Sequence, residues 1–251
     1  NAMKICYLYD EKSDIELVLC EDSDLSYPLH NHCSVFTVGL LLKGSVRLTT
    51  GDMERLLGED QTFVVYPYIP HCIESRETYT LLSFCINKNV IRCLNSDELK
   101  MTIRELINRT PELNAIGREP LRQLMSRIEL LYDYVPVAVN PFVDEMKCRL
   151  EASPENRYSI DEMAGQAFTS KYHFIRSFKR EIGLTPHQFQ LQNRIRKAQR
   201  LLDQSDSMAE VALNTGFFDQ SHFIRQFKKI VGLTPLTYKI SSGKVGTDSN
   251  D

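Results

Sequence analysis

The feature that most constrains this chain is a repeat: His173-Phe-Ile-Arg-Ser-Phe-Lys-Arg-Glu-Ile-Gly-Leu-Thr-Pro186 returns as His222-Phe-Ile-Arg-Gln-Phe-Lys-Lys-Ile-Val-Gly-Leu-Thr-Pro235, identical at ten of fourteen positions. A match of that length at an offset of 49 residues indicates one supersecondary unit used twice. The chemistry around each copy says what the unit is. Ser159-Ile-Asp-Glu162 and Ser207-Met-Ala-Glu210 have the spacing of a capping box, so a helix opens each copy. Met163, Ala164 and Ala167, and in the second copy Val211, Ala212 and Thr215, give that helix a short apolar face. The pattern breaks at Phe168-Thr169 and Gly216-Phe217. Ser170 and Asp219 then offer N-caps for a second helix carrying Phe174 and Phe178, or Phe223 and Phe227. Gly183 and Gly232 stop these helices, and the Thr-Pro after each places Thr at an N-cap and Pro at the first helical position. In the first copy a further helix is predicted over Pro186 to Leu202, a rigid connector between two helix-turn-helix units.

Residues 141–240 resemble the DNA-binding domain of the AraC/XylS family of transcription regulators. The resemblance is carried by the two capped helix-turn-helix units, the FKxxxGLTP ends (Phe178 to Pro186, Phe227 to Pro235), the Arg194-Ile195-x-x-Ala198-x-x-Leu201-Leu202 connector and Gly216-Phe217-x-Asp219-Gln220-Ser221-His222-Phe223. One departure is Phe168, which takes the turn position that Gly216 fills in the second copy. In a helix-turn-helix the N-terminal part of the second helix meets base edges in the major groove. The candidate DNA-binding residues are therefore Ser170, Lys171, Tyr172, Ile175, Arg176 and Lys179, with Asp219, Gln220, Ser221, Ile224, Arg225 and Lys228. Arg176 and Arg225 can bond guanine O6/N7 in bidentate fashion, Gln220 suits adenine, and Ile175, Ile224 or Tyr172 can touch thymine methyls. The alternative for each arginine is a phosphate clamp or an acidic partner inside the fold. Lys179 and Lys228 suit phosphates.

Charge agrees with a polyanionic partner for this part alone. Residues 157–239 hold 13 Lys and Arg against 7 Asp and Glu, net +6, which leaves −9 for the rest of a chain whose net charge is −3.

Residues 4–134 read as a second domain. Short strands are predicted at Val35 to Leu42, Gly44 to Thr50, Met53 to Leu57, Gln61 to Tyr66 and Tyr79 to Ile86, an antiparallel sandwich or barrel. Pro28-Leu-His30-Asn-His32, Leu41-Leu-Lys-Gly44-Ser-Val and Tyr66-Pro-Tyr-Ile-Pro-His71 resemble the cupin-type sensory domain that precedes this DNA-binding domain in many family members. The fold class is thus α+β with two domains: a cupin-like antiparallel β-barrel with trailing helices, then an all-α domain. The barrel is expected to hold a small-molecule effector, with His30, His32, Phe36 and His71 lining the site beside Val38 and Leu40. His30 and His32, two apart on a strand, would share a face with His71 within reach, a set that also suits Zn, Fe or Mn. Metal-binding cupins add a glutamate four or five residues after the second histidine, and here Phe36 and Thr37 stand there. The reading is accordingly no metal and no cofactor; a cupin metalloenzyme fused to a DNA-binding domain is the alternative, and a barrel without effector a further one.

Leu121, Leu124, Met125, Ile128, Leu131 and Tyr132 form an apolar stripe at helical period within helices predicted over 97–134. The family resemblance implies that such a stripe dimerises, giving a homodimer; double-stranded promoter DNA is the other macromolecular partner, with RNA polymerase for an activator. Residues 135–140 read as the linker, with the boundary near 138, Val143 to Leu150 as the first helix beyond it and 241–251 as a disordered tail. No apolar run reaches the ~20 residues of a membrane helix. Asn1-Ala2 ahead of Met3 have the look of a cloning remnant, and the seven cysteines lack a CxxC pair, so a cytoplasmic protein with reduced, mostly buried thiols is expected, with no catalytic group. Redox sensing through Cys33 and Cys72, each directly after a histidine of the set, is the lesser alternative to buried thiols.

Overall fold

The computed structural model describes residues 4–10, 12–32, 34–135, 140–202, 204–205 and 207–241. They form two compact units, one within Asn1–Val135 and one within Pro136–Ile240. Cys33, four residues of the expected linker (136–139) and the expected tail from 242 onward lie outside the described residues.

In the first unit, residues alternate between two faces and pair into antiparallel strands: β1 (Lys4–Asp10), β2 (Ile15–Ser23), β3 (Tyr27–His30), β4 (Val35–Lys43), β5 (Val46–Thr50), β6 (Met53–Leu57), β7 (Thr62–Val65), β8 (His71–Glu74) and β9 (Tyr79–Asn87). Their order is β1-β2-β9-β4-β7 in a five-stranded sheet and β3-β8-β5-β6 in a four-stranded one. Among the described residues the strands thus make two antiparallel sheets, within the sandwich or barrel that was expected, and no closed barrel forms. Strands β1, β2, β3 and β8 were not among those predicted individually.

One face of the five-stranded sheet carries Ile15, Leu17, Leu19, Phe36, Val38, Leu40, Leu82, Phe84 and Ile86. Against it pack α1 (Lys88–Cys93), α2 (Ser96–Asn108), α3 (Arg118–Glu129) and the 3-10 turns Pro111–Leu113 and Leu130–Asp133. These supply Leu99, Ile103, Leu106, Leu124, Met125, Ile128 and Leu131 to the same core. Each such side chain contributes about 1.5–3 kcal/mol on burial. Helix α2 starts on a reciprocal capping box between Asn95 and Glu98.

Two expectations are corrected here. The stripe from Leu121 to Tyr132 is core of this unit, with Leu124 and Ile128 fully buried, so its apolar face is already covered within the chain and is not a dimer surface. Phe36, Val38 and Leu40 point to the helices and not into a space between the sheets; Phe36 meets the rings of Tyr134 at 5.3 Å and Tyr66 at 6.0 Å. The opposite side of the sheet meets the four-stranded sheet, where Cys20 Sγ lies 3.6 Å from the Tyr27 hydroxyl. Burial pushes the Cys20 thiol up to about 11, which keeps it protonated and unreactive at neutral pH. Of the described cysteines Cys20 alone is buried; Cys6, Cys72 and Cys85 are half-buried and Cys93 and Cys148 exposed, so the expectation of mostly buried thiols does not hold.

The second unit is helical: α4 (Pro141–Ala152), α5 (Ile160–Gln166), α6 (Lys171–Ile182), α7 (Pro186–Leu202), α8 (Met208–Asn214), α9 (Gln220–Val231) and α10 (Pro235–Ser241). No helix among the described residues is long and apolar enough to cross a membrane.

Candidate nucleic-acid interface

Each helix-turn-helix is built by local chemistry. Ser159 Oγ accepts from Glu162 N at 3.3 Å and Ser207 Oγ from Glu210 N at 3.2 Å, starting α5 and α8. The reciprocal half of the expected box is replaced in the second copy: Ser207 N donates to Ser205 Oγ, and Ser205 Oγ in turn donates to the Glu210 carboxylate. Ser170 and Asp219 cap α6 and α9, accepting from His173 N at 3.3 Å and His222 N at 2.7 Å. Gly183 and Gly232 close these helices at φ +84° and +85°, where the left-handed conformation costs glycine nothing.

The inner faces repeat as chains of rings, edge-on except for the tilted pair Phe217–Phe223. Phe142, Phe174, Phe178 and Phe189 follow one another at 5.8, 6.0 and 5.7 Å; Phe217, Phe223, Phe227 and Tyr238 at 5.3, 5.6 and 5.5 Å. Such pairs add about 0.5–1.5 kcal/mol each beyond burial and fix the rotation of α6 and α9 about their axes. With Phe174, Phe178 and Ile182 buried on one side, Lys171, Tyr172, Arg176 and Lys179 are exposed on the other, and Ile175 is half-buried. The second helix repeats this: Gln220, Ser221, Arg225 and Lys228 are exposed opposite Phe223, Phe227 and Val231, and Ile224 is half-buried. Lys171 pairs with Asp161 at 3.2 Å, an exposed contact that a phosphate can displace. Among the described residues Arg176 and Arg225 make no hydrogen bond or ion pair, so the internal acidic partner weighed for them is not there.

What joins the copies lies on α7 and was missed in the sequence, where Arg194 read as one more polar residue of a connector. Its guanidinium donates to Pro154 O and Gly216 O, both at 2.7 Å, to Asn156 O at 3.1 Å and to Glu155 O at 3.4 Å. Gln190 Nε2 donates to Pro154 O at 2.9 Å and Asn156 O at 2.7 Å, and Lys197 pairs with Glu155 at 2.8 Å. One cation thus ties the loop between α4 and α5, the connector and the turn of the second unit. Burial works to raise the Glu155 pKa, but the Lys197 hydrogen bond and the charges of Lys197 and Arg194 hold it below the usual carboxylate range.

The two turns differ. Phe168 sits at φ +51° and is 99% exposed, while Gly216 sits at φ +81° against the backbone of Glu155. Their hydrogen bonds match: Phe168 N to Gly165 O and Gly216 N to Leu213 O, both 3.0 Å, so the departure noted at Phe168 is one of side chain and not of backbone.

In the first unit, strand β3 ends at His30, so His30 and His32 are not on one strand as expected. The chain nonetheless turns His32 back, and the rings of His30, His32 and His71 lie 4.2–5.2 Å apart. Phe36, expected with them, belongs to the helix-covered core. An open cleft of 450 Å³ between β6, β7 and α3 is lined by Arg55, Leu56, Gln61, Thr62, Gln123 and Arg127. It was not foreseen, because its two arginines come together from positions 72 residues apart.

The family model described as a helix-turn-helix domain matches residues 163–240. A Bacillus subtilis protein, uncharacterized HTH-type transcriptional regulator YbfI, is 30% identical over 222 residues, covering 77% of this chain and 80% of its own. Among solved structures, ToxT from Vibrio cholerae O395 matches with a TM-score of 0.60 at 14% identity, over 94% of this chain and 100% of that one. Unsaturated fatty acid bound wild-type ToxT from V. cholerae strain SCE256 matches with a TM-score of 0.57 at 12% identity, over 96% of each chain. These last two likenesses are of fold.

Proposed function

From the chain's membership of the AraC/XylS family of helix-turn-helix transcription regulators, we propose that α6 and α9 read two elements of one promoter site about a helical turn, ~34 Å, apart. The observation that carries this is the pair of exposed guanidiniums, Arg176 and Arg225, at equivalent places on two helices whose rotation is fixed by buried rings. Each can bond guanine in bidentate fashion, worth about 1–3 kcal/mol of discrimination. Gln220 adds adenine readout, and Ile175 and Ile224 offer apolar contact to thymine methyls. Lys179 and Lys228 hold phosphates. Ser170 and Asp219 act through the helix starts that they cap, not by reading bases.

The sensory input belongs to the first unit, in a cytoplasmic regulator. The candidate place for an effector with an anionic group is the open cleft between β6, β7 and α3, which Arg55 and Arg127 line without an acidic residue, although Arg127 Nε already donates to Thr62 Oγ1 at 3.1 Å. The unsaturated fatty acid bound by ToxT is consistent with an acidic effector class on this fold. The test of the DNA reading is selection from random duplexes at one fixed salt concentration, for wild type, Arg176→Ala and Arg225→Ala. A motif of two elements is expected, each variant blurring a different one. Variants that bind more weakly but select the unchanged motif would reduce both arginines to backbone clamps.

A further inference from the structure

Phe168 and Phe218 are the two most exposed large apolar side chains among the described residues, at 99% and 90%. Each stands in the turn of a helix-turn-helix, Phe168 two residues before the α6 cap Ser170 and Phe218 one before the α9 cap Asp219. The repeat does not account for the pair. Thr169 N and Phe217 N donate to Ala164 O and Ala212 O, both at 3.0 Å, so these two are equivalent and Phe168 is the counterpart of Gly216. Ser159 and Ser170 are 11 positions apart and Ser207 and Asp219 are 12, and the extra residue is Phe218. An exposed phenylalanine thus reaches the start of both DNA-reading helices, once by substitution and once by insertion. Neither serves the folded chain. Phe168 takes a left-handed backbone, φ +51°, that is unfavourable for any residue with a Cβ, and a ring left in water contributes no burial. Phe217, next to Phe218, is by contrast buried and meets the rings of His222 at 5.5 Å and Phe223 at 5.3 Å.

We propose that Phe168 and Phe218 pack on the sugar–phosphate backbone of DNA, one beside each element, with the ring against deoxyribose. This rests on the reading that α6 and α9 enter the major groove by their N-terminal ends. On that reading Lys171 and Tyr172, exposed in the first turn of α6, and Gln220 and Ser221, exposed in that of α9, face the groove, and each phenylalanine continues this surface across the helix start. Phe168 precedes Lys171 by three residues, at most ~11 Å of chain, against a groove about 12 Å wide. A side chain placed there meets the rim of the groove and not its floor. The rim offers deoxyribose C–H groups, the apolar part of the backbone, and the electron-rich face of a phenyl ring receives such edges favourably. The contact is uncharged, so it adds affinity without releasing counterions and without reading a base.

The test is binding of the full chain to the duplex that wild type enriches most from a random pool, by fluorescence anisotropy from about 50 to 200 mM salt, with hydroxyl-radical footprinting of the deoxyribose C–H groups. Phe168→Gly and Phe218→Ser should each lower affinity about tenfold, with the salt slope and the selected motif unchanged and sugar protection lost beside a different element in each. Phe168→Gly relieves the left-handed backbone, so its loss does not come from unfolding. Phe218→Tyr, which keeps the ring, should bind as wild type does. Arg176→Ala and Arg225→Ala on the same duplex tell the two readings apart: a motif that they leave unchanged removes base readout and not the sugar contacts. Wild-type affinity and sugar protection in Phe168→Gly and Phe218→Ser overturn the proposal even where the arginines read bases. So does a loss of affinity that comes with a smaller salt slope, or a loss of self-association with DNA binding intact, which would assign the rings to a second copy. A wild type that enriches no duplex overturns both readings.

Discussion

Phe168 and Gly216 hold the same turn position and both have positive φ, yet exchanging their side-chain character should have opposite effects. In Gly216→Ala the new Cβ would stand 2.5 Å from Glu155 O, 2.7 Å from its Cα and 3.0 Å from its carbonyl carbon. These are backbone atoms of a loop held by Arg194 and Gln190, so they cannot swing aside. Left-handed backbone costs a residue with a Cβ about 1–2 kcal/mol, and forcing atoms into filled space about 1–3 kcal/mol. The reduced freedom of the unfolded chain returns about 0.4–1 kcal/mol. The net is a loss of about 2–4 kcal/mol. In Phe168→Gly almost no buried surface disappears, since the side chain is 99% exposed. Relief of about 1–2 kcal/mol of backbone strain is set against about 0.5–1 kcal/mol of added unfolded-state freedom. The net is a gain of about 0.5–1 kcal/mol. The assay is amide exchange of the full chain across a urea series, followed in peptides from α5–α6 and α8–α9, which reports this unit apart from the other. Shifts of the same sign, or a neutral Gly216→Ala, would refute the reasoning.

Removing the guanidinium in Arg194→Met leaves Pro154 O and Asn156 O their bonds from Gln190 but takes the Arg194 donor from Gly216 O, a cost of about 1–3 kcal/mol. Its affinity for a two-element duplex should fall towards that for a single element while helix content by circular dichroism is kept; an unchanged affinity ratio would mean that Arg194 does not couple the units. Lys179→Ala and Lys228→Ala should each reduce the slope of log affinity against log salt by about 1 and leave the selected motif alone; a constant slope would remove their phosphate role. Glu155 has a depressed folded pKa, so its contribution is present above its unfolded value near 4.5 and is lost as pH falls through the folded pKa. Urea unfolding of wild type and Glu155→Gln should therefore differ most at about pH 6–7 and converge towards about pH 3; a gap that widens in acid would reverse this sign.

The sequence by itself determined the second unit to a large degree. The fourteen-residue repeat, the caps Ser159, Ser170, Ser207 and Asp219, the stops Gly183 and Gly232, and the connector Pro186–Leu202 are all written in bonds that span four residues or fewer, so neighbours along the chain settle them. Which face of α6 and α9 turns outward was legible for the same reason, from the spacing of the phenylalanines. Only the tertiary structure decided what depends on distant partners. An amphipathic stripe states that something apolar covers it, not what: Leu124 and Ile128 are covered by the sheet of their own unit, where the family resemblance implied a second copy. Phe36 alternates along β4 as read, but which of the sheet's two covered faces receives it follows from where α2 and α3 pack. His30 and His32 meet His71 through a loop that leaves the strand, and Arg194 becomes a hub because carbonyls 22 and 40 residues away converge on it. Local hydrogen bonding fixes the elements, whereas the choice among equally apolar or equally polar partners is made when the whole chain closes around its core.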